Sequence, residues 1–469
     1  MYIRLVQYPS TGSGTGCTNI GGIWMGFFDD MDRMGIRPFH RKIEILASMG
    51  MFLDGYDLSV ITMAILLMPT QLHFGKLDYI LVNVSAFIGM IIGAPLLGRL
   101  SDRIGRKKIF GIDLLLFVVF AITAGLATNF AMLFISRLML GIGIGGDYPI
   151  SSTMVSEFSP VSKRGTLLYG MVGMYWLGSF FSAVMNYTFA FTPYFWRYTF
   201  IVGGVIAIPI IFLRMRIPES PRWLIGHGMT KSAESVVEDL TGRKPDVEEG
   251  KAEAEQEESV KFSSLFSSKF LASTIFVLSV WFLFDVASYG IGFYYPTLID
   301  KLGLASHVLN TAGLRAIAES SMIVAVGAIL GYLVAMPLAD RIGRRILTIS
   351  GLFVMFLLLL LGSVVKISTL LPVVAFFFSF VLFEQWVGAA TLFYPTELFP
   401  TNYRSTIQGI ATSVSRVGAI MGIVVFPLYP VFHSIFIFAI LMALALIISV
   451  IFAPETKKTP LEKIWKSKA

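Results

Sequence analysis

Residues 101–107 read SDRIGRK, and residues 339–345 read ADRIGRR. Two further pairs keep nearly the same offset. SEFSPVSKRG at 156–165 aligns with TELFPTNYRS at 396–405, which sets Glu157 on Glu397 and Arg164 on Arg404, and Pro218-Glu219 aligns with Pro454-Glu455. Motif pairs at one offset mean that the chain is built twice from homologous halves in parallel orientation.

Outward from these loops the chain is apolar. It is 55% hydrophobic and only 14% charged, where a soluble domain carries about 25% charged residues, so lipid is the expected solvent. Apolar runs long enough to cross about 30 Å of hydrocarbon fall at 45–68, 80–100, 109–128, 131–157, 166–190 and 196–213, then at 271–297, 317–339, 346–364, 370–395, 404–427 and 429–452. The expected fold is therefore an all-α integral membrane protein, with twelve transmembrane helices in two pseudo-symmetric six-helix halves. The divisions expected are a polar tail (1–40), a first half (41–213), a linker (214–270) holding the charged run KPDVEEGKAEAEQEES, a second half (271–453) and a short tail (454–469).

The formal net charge is +7. Its distribution excludes a nucleic-acid surface, because the basic residues cluster in short loops: Arg99 to Lys108, Lys163-Arg164, Arg214 to Lys231, Arg341 to Arg345 and Lys457 to Lys463. The alternate loops are nearly bare, so the positive-inside rule places both termini in the cytoplasm. One cysteine, Cys17, leaves no disulfide framework or Cys-based metal site. The five histidines are scattered without ligand spacing. No nucleophile–base constellation is present, and neither an enzyme nor a cofactor is expected.

Ionisable residues inside apolar spans are expensive and mark function. The fourth span carries three, Arg137, Asp147 and Glu157, beside a glycine-rich face (Gly141, Gly143, Gly145, Gly146). The first span holds FLDGYDLSV, with Asp54 and Asp57 three apart on one face. Two carboxylates so placed repel, so one of them is expected to carry a proton. In the seventh span Trp281, Asp285 and Tyr289 form a stripe at i, i+4 and i+8; a Trp–Tyr stripe is usually packing, but packing does not need a carboxylate in lipid. Glu384 and Gln385 lie in the tenth span and Arg416 in the eleventh. Arg137 fits equally a helix neighbour's counter-ion or a direct functional role.

The doubled loops have two readings. Asp102, Arg103, Gly105 and Arg106, with Asp340, Arg341 and Arg344 in the second half, serve topology alone or form a gate. The duplication of Asp and Gly as well as the basic residues favours a gate, in which the loop arginines meet Glu157 and Glu397 and in which Arg164 and Arg404 take part.

These motifs identify a resemblance. D-R-x-G-R-[KR] twice, R-x-x-x-G-x-G-x-G in the fourth span and PESPRWL after the sixth resemble the major facilitator superfamily over residues 41–465, on the branch of sugar porters and phosphate:proton symporters. GIGIGGDYPISSTMVSEF at 141–158 is very similar to the fourth helix of the phosphate:proton symporters. The resemblance implies alternating access without a cofactor, protons as coupling ions, a bilayer, a small-molecule cargo and a monomer at the cell membrane. It implies Asp147 as proton carrier, with Asp57 or Asp54 on the proton path, and Tyr148, Trp281, Asp285, Tyr289 and Arg416 around the cargo. Two neutral polar ligands of that family are missing: Tyr175 or Trp176 stands for a glutamine and Gly388 for an asparagine. Inorganic phosphate import is the favoured expectation. The alternatives are an organic or aromatic acid, a sugar, or remotely a non-transporting nutrient receptor.

Overall fold

A computed structural model describes residues 27–245, 262–292, 311–365 and 370–466. Twelve helices among them are long and apolar enough to cross a bilayer: α1 (Pro38–Ala64), α2 (Leu77–Ile104), α3 (Arg106–Gly125), α4 (Phe130–Phe158), α5 (Arg164–Phe189), α6 (Phe195–Arg214), α7 (Phe270–Gly292), α8 (Thr311–Arg341), α9 (Arg344–Val364), α10 (Pro372–Leu398), α11 (Thr401–Val425) and α12 (Val431–Phe452). Each apolar run read from the sequence overlaps one of them, and no strand occurs among the described residues.

The packing repeats with the sequence. Within the first half α1 packs on α5, α2 on α4, and α3 on α4 and α6; within the second, α7 packs on α11, α8 on α10, and α9 on α10 and α12. The halves meet along two seams of the same kind, α2 with α11 and α5 with α8. Glycine makes the α2–α4 crossing possible. A Cβ at Gly145 would lie 2.7 Å from Met90 Cα, and one at Gly141 would lie 2.1 Å from the Ala86 carbonyl oxygen. Small residues thus let the two backbones touch, as lipid-embedded helices require.

The loop glycines do different work. Gly105 (φ 109°) and Gly343 (φ 104°) turn the chain between α2 and α3 and between α8 and α9 in a conformation that side-chain-bearing residues avoid. Glu219 then accepts hydrogen bonds from the Arg106 and Lys107 amides, and Glu455 accepts them from Arg344 and Arg345. The Pro-Glu pairs therefore cap α3 and α9, satisfying orphan donors at a positive helix end.

Near Phe28 the tail forms a short helix, Asp29–Arg33, at the basic end of the bundle, with Phe27, Phe28 and Met31 buried. Two expectations change. The linker carries helices Pro221–Gly226 and Thr230–Thr241, whose apolar side chains Trp223, Leu224, Ala233 and Val237 are buried. Arg214, read as a loop residue, is buried. It closes α6, and a helical side chain slants toward its own helix N-terminus, which carries this guanidinium back into the first half. Most of the charged run KPDVEEGKAEAEQEES, with Cys17, His307 and Lys366, lies outside the described residues.

Candidate functional site

A cavity of about 200 Å³ lies between the halves. Arg416 from α11 enters it and is held by α7: its Nη1 lies 3.2 Å from Asp285 Oδ2 and donates to Tyr289 Oη at 2.5 Å. The guanidinium sits 5.1 Å from the Tyr148 ring centroid and 5.0 Å from that of Tyr289, within cation–π range. Trp281, one turn before Asp285, completes the α7 wall. Across the cavity Tyr175 and Trp176 come from α5, and Glu384 and Gln385 from α10. Trp176 Nε1 donates to Gln385 Oε1 at 2.8 Å, a bond between the halves.

All nine residues expected at the cargo site thus line one cavity. Glu384 has no cation within ion-pair distance among the described residues; the Gln385 amide lies 3.3 Å from it. Ser59, Ser179, Asn186 and Tyr332 also line the cavity. Single hydroxyls and amides on otherwise apolar helices carry no sequence signal that separates them from packing.

The expected proton set lies elsewhere. Asp57, Asp54 and Asp147 are buried, but none lines the cavity. Asp57 is paired with Arg137, so that arginine is the counter-ion of a residue on a neighbouring helix. Asp147 Oδ1 accepts from Arg214 Nη1 at 2.6 Å and from Ser151 Oγ at 3.0 Å. The reason is rotation: Tyr148 is turned about 100° from Asp147 on an α-helix, so the phenol faces the other half while the carboxylate faces its own. Asp113 on α3 joins this interior group, 3.6 Å from the same Arg214 nitrogen. It is absent from the sequence-derived set although GIDLLLF carries the same signal, a carboxylate inside an apolar span.

The basic ends of the halves are cross-linked. Asp102 Oδ2 accepts from the Thr406 amide and hydroxyl, both at 2.7 Å, and Oδ1 from the Ser405 amide at 3.3 Å, so a carboxylate on α2 caps α11. Asp340 on α8 caps α5 in the same way, through Gly165 and the Thr166 amide and hydroxyl at 3.1, 2.8 and 2.7 Å. Glu157 takes Arg106 at 3.2 Å and, across the seam, Arg404 at 2.8 Å; Glu397 takes Arg344 at 3.2 Å. Symmetry stops at Arg164, which donates to the Thr459 carbonyl at 3.1 Å rather than pairing with Glu397. Two gate candidates do not take part. Arg103 and Arg341 are exposed and form no ion pair among the described residues, because i,i+4 spacing puts Asp102 with Arg106 and Asp340 with Arg344 and turns the residue between outward.

Arg222, from PESPRWL, gathers both ends of the chain. It donates to Asp32 Oδ1 and Glu462 Oε1, each at 2.8 Å, and to the Glu157 carbonyl. Burial raises the Asp32 carboxyl above its usual range against the opposing pull of Arg222. For Glu462 burial acts upward too, but the charge and hydrogen bond of Arg222 outweigh it and hold that carboxyl low. No group of three or more His, Cys, Asp or Glu among the described residues is arranged to hold a metal ion.

Known proteins carry the same plan. The family described as "Sugar (and other) transporter" matches residues 43–466. The putative metabolite transport protein YaaU of Escherichia coli (strain K12) is 30% identical over 436 residues, covering 92% of this chain and 95% of its own. Inorganic phosphate transporter 1-11 of Oryza sativa subsp. japonica is 28% identical over 464 residues, covering 86% and 82%. Among solved structures, the major facilitator proton:xylose symporter XylE bound to 6-bromo-6-deoxy-D-glucose superposes with a TM-score of 0.80 at 23% identity, covering 91% of this chain and 98% of its own. With twelve spans, duplicated halves and a cavity between them, the chain belongs to the sugar (and other) transporter family and has the major facilitator fold of a membrane transporter.

Proposed function

We propose that this transporter is a proton-driven symporter that carries a small organic anion inward by alternating access, with its basic end and both termini in the cytoplasm. The observation that carries the proposal is Arg416: a buried guanidinium in a cavity between the halves, held by Asp285 and ringed by Tyr148 and Tyr289. An anion that enters competes with Asp285 for that cation, and the aromatic walls suit a carbon body. Arg416 is already neutralised and Glu384 adds a second carboxylate, so a bare phosphate dianion meets a lining that is not net positive. Phosphate transport is the second reading, favoured by relatives named as inorganic phosphate transporters. Sugar transport has in its support the family's description and the fold of the xylose symporter.

Cargo and proton take separate places in this reading. Asp147, with Asp54 and Asp57 nearby, carries protons inside the first half, and Tyr148, its chain neighbour, faces the cargo. The membrane potential supplies about 2.3 kcal/mol per charge per 100 mV, and a pH gradient adds to it. The basic-end cross-links hold the outward-facing state and break as the halves rock.

The test is uptake by purified protein in liposomes under an imposed pH gradient, with labelled benzoate, phosphate and xylose in parallel. Benzoate is expected to accumulate and to be competed by other organic acids. Accumulation of phosphate in preference to every organic acid would give the second reading the site. Asp147→Asn is expected to abolish gradient-driven accumulation while sparing exchange at equal pH; undiminished accumulation by that variant removes Asp147 from the proton path.

A further inference from the structure

Arg214 is anchored by backbone rather than by one carboxylate. Its Nε donates to the Leu46 carbonyl at 3.0 Å, Nη2 to Ala47 at 3.4 Å and Nη1 to Phe110 at 3.4 Å, with the guanidinium 3.7 Å from the Phe110 ring centroid. Gly50 leaves the notch on α1 in which it meets Asp147, since a Cβ there would lie 2.1 Å from Arg214 Nη2 and 2.0 Å from Asp147 Oδ2.

Two carboxylates reach the same nitrogen. Nη1 is 2.6 Å from Asp147 Oδ1 and 3.6 Å from Asp113 Oδ2. Asp113 Oδ1 accepts from the Leu114 amide at 2.6 Å, while its Oδ2 has no hydrogen-bond partner. Asp147 Oδ2 and Asp54 Oδ2 are buried and unpartnered as well. Asp54 is one turn beyond Gly50 on the same face of α1, and the charges acting on it are Asp147, Arg214, Asp113 and Asp57. Around Arg214 the charged and titratable groups are thus Asp54 and Asp57 from α1, Asp113 from α3, Arg137, Asp147 and Tyr148 from α4, and Arg214 itself from α6. Arg137 is committed to Asp57, so Arg214 is left to Asp147 and Asp113, with Asp54 within reach of its charge.

We infer that Asp113 is the alternative counter-ion of Arg214, which lets Asp147 gain and lose a proton without stranding a bare guanidinium in the membrane. When Asp147 is ionised it holds Arg214. When a proton lands on Asp147, the cation closes the remaining ångström to Asp113, and the return is the reverse. An unpaired buried charge is what makes such a protonation prohibitive, and a spare carboxylate removes that obstacle. Asp113 is on this account a positioning residue that touches neither cargo nor its cavity.

The inference rests on Asp147 as the proton carrier, and its test uses the proton itself so that no cargo is needed. The carboxylic C=O infrared band is titrated against pH in purified full-length protein, the Asp147 component being the part lost in Asp147→Asn. In Asp113→Asn, and in Asp113→Thr as a second neutral variant, the midpoint of that component is expected to move to lower pH by about one unit or more, as removal of a nearby negative charge requires. Asp113→Glu is expected to restore most of it. An Asp147 component whose midpoint ignores the folded Asp113 variants overturns the inference and leaves proton coupling standing. If no component depends on Asp147, both fall together.

Discussion

Arg416 and Asp285 illustrate how a buried ion pair serves transport better than stability. Two charges removed from water gain little net free energy, yet breaking the pair strands one of them. On the proposed reading, a cargo anion that replaces Asp285 at the guanidinium would make the same bond without the loss. Arg416→Ala is expected to weaken cargo binding by about 1.5–3 kcal/mol, roughly 10- to 150-fold in affinity, and to lower thermal stability through the stranded Asp285. Arg416→Lys keeps the charge but not the forked geometry and should fall between; binding to purified protein, measured with whichever cargo the uptake panel selects, checks both. Tyr289 is expected to matter for the same reason, since its hydroxyl steers the guanidinium.

The residue scale also shows why the residues expected to carry protons separate from those expected to meet cargo. Asp147 and Tyr148 are chain neighbours, and the helix sends them to opposite environments. The sequence named both, but it could not say which faced the cavity, because every residue of α4 from Gly143 through Phe158 is buried and no position marks a solvent side.

At the scale of elements, the basic end is a set of helix caps exchanged between halves. Asp102 caps α11 and Asp340 caps α5, and a lost cap is worth roughly 0.5–2 kcal/mol each. Asp102→Ala with Asp340→Ala should therefore shift the equilibrium toward states open at the basic end. Spin-label distances between the basic ends of the two halves are expected to lengthen in the double variant, and an unchanged distribution would show that the caps do not hold closure. Arg222 adds a pH-dependent fastening. Because Arg222 holds Glu462 below its ordinary range, the contribution of that pair is complete above the ordinary glutamate value of 4.5 and is lost as pH falls through the lowered one. Closure measured by the same labels should weaken on acidification below about pH 4.5 in the native protein, and Glu462→Gln should remove the part of that dependence that Glu462 carries while leaving the part carried by Asp32.

At the scale of the whole molecule, the duplicated packing leaves two seams, α2 with α11 and α5 with α8, about which the halves can rock. A cysteine pair at Asp102 and Thr406, in a chain whose Cys17 is replaced by serine, should form a disulfide that stops transport and releases it on reduction; transport that continues with the bridge intact would rule out opening at this seam. Orientation is testable in the same background. Arg103→Cys, exposed at the basic end, is expected to react with an impermeant thiol reagent only after the membrane is permeabilised. Leu77→Cys at the other end, 65% exposed, should react from outside.

Hydrophobic runs and the doubled loops by themselves determined the number of helices and the duplication, and ionisable residues inside the spans, with the family resemblance, named residues that line the cavity between the halves. Those depend on local features: run length against bilayer thickness, and motifs repeated at one offset. The pairing of charges was not legible. Arg214 reads as a topogenic loop residue until its helix places it beside Asp147; Asp113 reads as a lone charge until α3 packs on α4; Arg103 reads as part of the gate until its helix turns it outward. Which carboxylate meets which guanidinium depends on helix rotation and on contacts between residues far apart in the chain, and only the tertiary structure fixes these.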